Sequence, residues 1–119
     1  MKFLPAPWRW EFISKIGKKK GCIFCNAVKL PEEKSLICFK GENFFVILNK
    51  YPYNTGHLMI VPYRHLALPE KIQPEEAKEM WMLMNRSLTI LNEQFSPDGF
   101  NTGMNLGKCA GAGVKDHFH

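Results

Sequence analysis

The stretch PEEAKEMWMLMNRSLTILNEQF, residues 74–95, carries the plainest structural signal in this chain of 119 residues. Ala77, Met80, Trp81, Met84, Leu88, Leu91 and Phe95 recur at i, i+3, i+4, i+7 spacing, one apolar face over about five helical turns. Pro74 suits the first helical position because its missing N–H would have no partner there, and Glu75 and Glu76 favour the positive end of the helix dipole. Ser96-Pro97-Asp98-Gly99 breaks the pattern. The Met and Trp residues of this face are expected in the core, not in a cofactor pocket.

Upstream, Ser35–Phe39 and Asn43–Asn49 read as two strands joined at Lys40-Gly41-Glu42, a hairpin signal. Tyr51-Pro52-Tyr53-Asn54-Thr55-Gly56 is a loop by composition, and His57–Pro62 is a flat apolar third strand. Downstream, Phe100–Leu106 is expected as a fourth strand, Gly107–Gly113 as a glycine-rich loop, and Asp116–His119 as the start of a fifth strand. Near the beginning, Trp8, Phe12, Ile13 and Ile16 have helical spacing, and Gly17 offers a stop. This order gives an α+β class: an antiparallel sheet of about five strands, one long helix and a short N-terminal helix.

The length predicts one domain over residues 1–119, with enough chain to bury a single core. An apolar fraction of 45% with 23% charged residues excludes a disordered chain. No apolar run approaches the roughly 20 residues that cross a bilayer, so no membrane partner is expected. The N-terminus lacks a basic segment followed by an apolar one, which predicts a cytoplasmic protein. In that reducing compartment Cys22, Cys25, Cys38 and Cys109 are expected as metal ligands or buried thiols, not disulfides. The net charge of +5 gathers partly at Lys15, Lys18, Lys19 and Lys20. A basic surface suits anionic partners, but no basic-aromatic pattern accompanies the run, so nucleic acid is not the expected partner.

Three groups of residues carry possible chemistry. On an extended segment His117 and His119 share a face while Phe118 enters the other side; alone, HxH fits surface histidines or a frayed tail as well as a metal pair or a nucleophile with a helper. Glycines between Gly103 and Gly113 would let backbone N–H groups surround an anion, or form a plain turn. Cys22-Ile23-Phe24-Cys25 has the C-x2-C spacing of structural zinc, which needs two further ligands. A redox pair lacks its βαβ surroundings here, and two buried metal-free thiols are the remaining alternative.

The pattern Asn49-x7-His57-Leu-Met-Ile-Val-Pro-x2-His65, the run from Gly99 to Gly113, and His117-x-His119 together resemble the histidine triad (HIT) superfamily. Ala6-Pro7-Trp8-Arg9 and Cys22-x2-Cys25 look like its bacterial branch of diadenosine tetraphosphate phosphorylases and related nucleotide hydrolases. The resemblance covers Ala6 to His119 and implies a HIT-like sheet with a long helix. It implies that His119 is the nucleophile, attacking the α-phosphorus of a nucleotide to give a covalent nucleotidyl-histidine that water or phosphate resolves. Its other ring nitrogen would donate to a backbone carbonyl.

By the same resemblance Asn105 contacts phosphate, and Gly111, Ala112 and Gly113 supply backbone donors to it. Asn49 and Lys50 meet the ribose, Ile47 and Met59 line a base pocket suited to adenine, and His57 has no catalytic role. Zinc would be held by Cys22, Cys25, His65 and His117, and two chains would pair as a homodimer. The family motif continues to a third histidine, whereas this sequence stops at the second. The expectation is therefore a domain truncated at its C-terminus, with an impaired nucleotide-binding module as the alternative to an enzyme.

Overall fold

The structure, a computed structural model, describes residues 21–49, 56–112, 114 and 116–119. The expected N-terminal helix, the lysine run, Lys50 and Gly113 lie outside the described residues. In chain order the elements are α1 (Ile23–Ala27), β1 (Ile37–Lys40), β2 (Phe44–Leu48), β3 (Leu58–Pro62) and α2 (Pro74–Phe95). The strands form one antiparallel sheet in the order β1-β2-β3.

β2 is the centre of the fold because its sequence, FFVIL, can be buried on both faces. Side chains alternate across a strand. Phe45 and Ile47 join Phe24, Ala27, Val61 and Val114 in one apolar cluster beneath α1. Phe44 and Val46 join Leu83 of α2 and Phe118 in the other. β3 pairs with β2 in continuous register, with Ile47 opposite Met59 and Leu48 opposite Leu58. The β1–β2 pairing shifts by one residue between Ile37 and Phe39, and the hairpin closes with the Gly41 N–H donating to the Phe44 carbonyl at 2.7 Å.

A single carboxylate fastens this hairpin to the long helix. Glu79 accepts from the Asn43 N–H at 3.0 Å and from the Phe44 N–H at 3.0 Å. Gly41 is required beside it: a Cβ there would lie 2.7 Å from Glu79 Oε2 and 2.9 Å from the Phe44 carbonyl oxygen.

α2 has the bounds expected from its sequence. Glu76 accepts from the Gln73 N–H at 2.9 Å, the carboxylate half of a capping box, and Ser96 ends the helix in a left-handed conformation. Its buried line differs from the expected one. Leu83 is buried, while Trp81 is 64% exposed and Phe95 is 55% exposed. The line through Glu76, Met80 and Leu83 meets the sheet. Of the expected face, Ala77, Met84, Leu88 and Leu91 are half-buried, and Trp81 and Phe95 are exposed. The assignment of Trp81 and Phe95 to the core is corrected accordingly.

The two later strands are also corrected. Among the described residues, 100–106 and 116–119 carry no strand assignment. A strand needs a ladder partner, and 116–119 instead docks through the Phe118 N–H, which donates to the Leu66 carbonyl at 2.7 Å. Burial of Phe118, 2% exposed, holds the segment in place. No helix among the described residues is long and apolar enough to cross a membrane.

Candidate functional site

Four side chains from three separate segments converge beside the sheet. Cys22 precedes α1 and Cys25 lies within it, so one helical turn aims both thiols the same way. His65 follows β3 by three residues. His117 is placed by its neighbour Phe118, whose ring fills the cluster on the opposite face. The Cys22 Sγ lies 3.3 Å from His117 Nδ1, and the Cys25 Sγ lies 3.5 Å from His65 Nδ1 and 3.6 Å from His117 Nδ1. The two imidazoles approach at 3.2 Å, Nδ1 to Nδ1. All four donor atoms fall within 4.8 Å of one another, close enough to hold one metal ion.

The electrostatics favour a neutral imidazole at His117 and, without a metal, a protonated thiol at Cys25. His117 is 1% exposed, and its Nε2 donates to the Pro62 carbonyl at 2.7 Å. That bond places the proton on Nε2 and turns the Nδ1 lone pair into the cluster. Burial lowers the His117 pKa below its ordinary 6.5, with His65 and His119 adding like-charge pressure and the Pro62 carbonyl opposing. Burial and the neighbouring Cys22 thiol push the Cys25 thiol up.

His119 stands at the rim of this cluster. Its Nδ1 lies 3.3 Å from the His117 carbonyl oxygen, the backbone contact expected for it. The Phe24 ring packs against both histidines, with centroids 4.8 Å from His119 and 5.5 Å from His117. The apolar cluster around Phe24 includes Ile47 and, packed against it, Met59. Asn49 follows β2 and is buried; its N–H donates to the His57 carbonyl at 3.2 Å. Asn105 is exposed.

The glycine-rich loop is a closed turn. The Gly111 N–H donates to the Lys108 carbonyl at 3.0 Å and the Ala112 N–H to the Gly107 carbonyl at 3.2 Å. Two of the three expected backbone donors, Gly111 and Ala112, are thus engaged within the loop, and an anion there would have to displace those carbonyls. Gly107 and Gly111, at φ of 85° and 88°, permit the turn.

Phe24 and the Pro62 carbonyl were not anticipated from the sequence. Phe24 lies inside the Cys pair, where its spacing from Ala27 on a helix was the available signal. A backbone carbonyl leaves no residue signature at all.

Residues 31–119 match the family described as HIT domain. The chain belongs to the HIT domain family. Among its relatives, AP-4-A phosphorylase of Mycobacterium tuberculosis is 35% identical over 96 residues, which cover 81% of this chain and 49% of that protein. Bis(5'-adenosyl)-triphosphatase of Dictyostelium discoideum is 30% identical over 86 residues, 72% of this chain and 57% of that one. The chain therefore spans about half the length of these curated relatives. A crystal structure of a HIT family member from Bacillus subtilis superposes with a TM-score of 0.71 at 26% identity, covering 83% of this chain and 70% of that chain. A Zn-bound histidine triad family protein from Mycobacterium smegmatis gives 0.69 at 28% identity, covering 82% and 70%. The HIT fold and α+β class expected from the sequence are those of the structure.

Proposed function

We propose that this HIT domain chain is a nucleotidyl hydrolase or transferase that cleaves a phosphoanhydride of diadenosine polyphosphates or related nucleotides through His119. The observation that carries the reading is the 3.3 Å contact between His119 Nδ1 and the His117 carbonyl. A proton on Nδ1 donated to that oxygen leaves Nε2 as a neutral nucleophile. Its lone pair would form an N–P bond to the α-phosphorus as the bond to the bridging oxygen breaks and the remaining polyphosphate departs. Water or phosphate then attacks the same phosphorus and returns the electron pair to Nε2. The names of the Mycobacterium tuberculosis and Dictyostelium discoideum relatives support this substrate class.

In this reading Ile47 and Met59 line the base pocket, Asn49 and Lys50 meet the ribose, and Asn105, Gly111, Ala112 and Gly113 contact phosphate. The closed loop adds a condition: phosphate oxygens replace the carbonyls of Gly107 and Lys108 as acceptors.

Zinc is the metal that suits Cys22, Cys25, His65 and His117. Bond lengths of roughly 2.05 Å to nitrogen and 2.3 Å to sulfur imply tetrahedral edges of about 3.3 Å between nitrogens and about 3.6 Å between nitrogen and sulfur. The spacings of 3.2 Å between nitrogens and 3.3, 3.5 and 3.6 Å between nitrogen and sulfur match that pattern. With zinc held there, Cys22 and Cys25, His65 and His117 would tie α1, the end of β3 and the His117 segment together. Phe24, Phe118 and the Pro62 carbonyl then hold His119 in register with it.

The homodimer implied by the family resemblance would bury Trp81 and Phe95, the two aromatic residues exposed on α2. The test of the function is chromatography of products after incubation with diadenosine tetraphosphate and phosphate, beside His119→Ala. Cleavage lost in the variant supports the reading. Cleavage that persists in the variant refutes His119 as the nucleophile, and no cleavage by either chain leaves a nucleotide-binding module.

A further inference from the structure

Three of the four residues gathered at the candidate metal site owe their places to a helix or to burial. Cys22 and Cys25 are placed by α1, and His117 by its bond to the Pro62 carbonyl and by the buried ring of Phe118. His65 differs: it is exposed and lies past β3, outside any helix or strand. The chain is fastened on either side of it. The Tyr63 N–H donates to the Asn43 carbonyl at 3.0 Å, and the Leu66 carbonyl accepts from the Phe118 N–H at 2.7 Å. Between these ties Arg64 reaches α2, where its Nη1 donates to Glu76 Oε1 at 2.8 Å; the same oxygen accepts from the Gln73 N–H at 2.9 Å. The Glu76 side chain is 9% exposed, and among the described residues no hydrogen bond reaches its Oε2. A carboxylate so buried depends on the guanidinium for charge compensation, which separates this pair from solvent-exposed ion pairs that contribute little.

We propose that Arg64 and Glu76 are positioning residues for the metal site: Glu76 draws the Arg64 side chain onto the start of α2, which fixes the bend after β3 and sets His65 toward Cys25 and His117. The inference rests on the reading of Cys22, Cys25, His65 and His117 as metal ligands. His65 Nδ1 lies 3.5 Å from the Cys25 Sγ and 3.2 Å from His117 Nδ1, so its ring already stands where a shared ion needs it. Metal–ligand distances tolerate only about 0.2 Å of error. Without the pair, an exposed His65 on an unfixed bend must be ordered when metal binds, and that ordering is subtracted from the affinity. Arg64 and Glu76 act through His65 and touch neither metal nor substrate.

The test is cobalt(II) titration of the full chain, read by visible absorption, as a double-mutant cycle between Arg64→Met and His65→Ala. Methionine keeps an apolar stem and removes the guanidinium. Because Arg64→Met leaves a buried carboxylate uncompensated, Arg64→Met/Glu76→Gln is carried through the same cycle without that charge, and it decides the matter if the single variant does not fold. The expected result is a loss of cobalt(II) affinity of about tenfold in both, the low end of what losing an outer-shell partner costs. In the His65→Ala background the same substitutions should change affinity by no more than roughly twofold, the scatter expected once the coupled partner is gone. Equal weakening with and without His65 would mark a general structural role and overturn the inference, as would parent-like affinity in the folded variants. If the parent does not bind cobalt(II), or His65→Ala binds it as tightly as the parent, the metal-ligand reading fails and takes the inference with it.

Discussion

Replacing Glu79 with alanine removes the tie between α2 and the β1–β2 hairpin, and its cost can be worked from the contacts. Glu79 Oε2 accepts from the Phe44 N–H at 3.0 Å, and Phe44 is fully buried. Glu79 Oε1 accepts from the Asn43 N–H at 3.0 Å and from Asn43 Nδ2 at 3.2 Å, at a half-buried residue that water can reach. A buried donor left unpaired costs roughly 1–3 kcal/mol, and a rehydrated one roughly 1 kcal/mol, giving about 2–4 kcal/mol. For a domain of this length, at roughly 4 °C per kcal/mol, the midpoint of thermal unfolding falls by about 8–16 °C. Glu79→Gln keeps one acceptor oxygen and should lose about half as much. Circular dichroism melts of the three proteins decide the matter. A Glu79→Ala midpoint within about 2 °C of the parent would refute the argument that this carboxylate secures the start of β2, and with it the placement of Ile47 on that strand and of Asn49 just after it.

Cobalt(II) titration should give the visible bands of a tetrahedral thiolate site. Cys25→Ala should weaken binding by more than the roughly 10–100-fold that loss of an outer-shell partner costs; unchanged affinity would remove Cys25 from the ligand set. In chelator-treated protein, His117 contributes a pH dependence of known sign. Its folded pKa lies below the ordinary 6.5, so the unfolded chain takes up the proton first. Stability is then fully present above about 6.5 and declines as pH falls through the window beneath it, and His117→Asn should flatten that decline in melts recorded across the window. The exposed stripe of α2 predicts a dimer by sedimentation that Trp81→Glu converts to monomer with its far-ultraviolet spectrum intact; a monomeric parent would contradict it.

Much of the frame was legible because local physics sets it. Pro74 and Ser96 bound α2, and the Lys40-Gly41-Glu42 turn separates two strands as its composition requires. Long-range placement was not legible in the same way. Periodicity identifies one apolar face on α2, of which Met80 does meet the core, but it cannot say which edge of that face the narrow sheet covers, so it misses Leu83 and places Trp81 inward. Strand-like alternation in 100–106 and 116–119 carries no information about ladder partners. At the site, C-x2-C spacing points to two ligands. The other two, His65 and His117, lie 40 and 92 residues from Cys25 and were reached through family resemblance. The closed Gly107–Ala112 turn, which engages donors expected for phosphate, follows from backbone geometry that glycine content alone does not specify.

The central claim is that His119 carries the transferred nucleotidyl group. Acid-free quenching during turnover of diadenosine tetraphosphate, followed by peptide mass mapping, tests it most directly. The account predicts one added adenylyl group on the peptide that contains His119, absent from His119→Ala. Turnover with no such adduct, or an adduct on another residue, would contradict it.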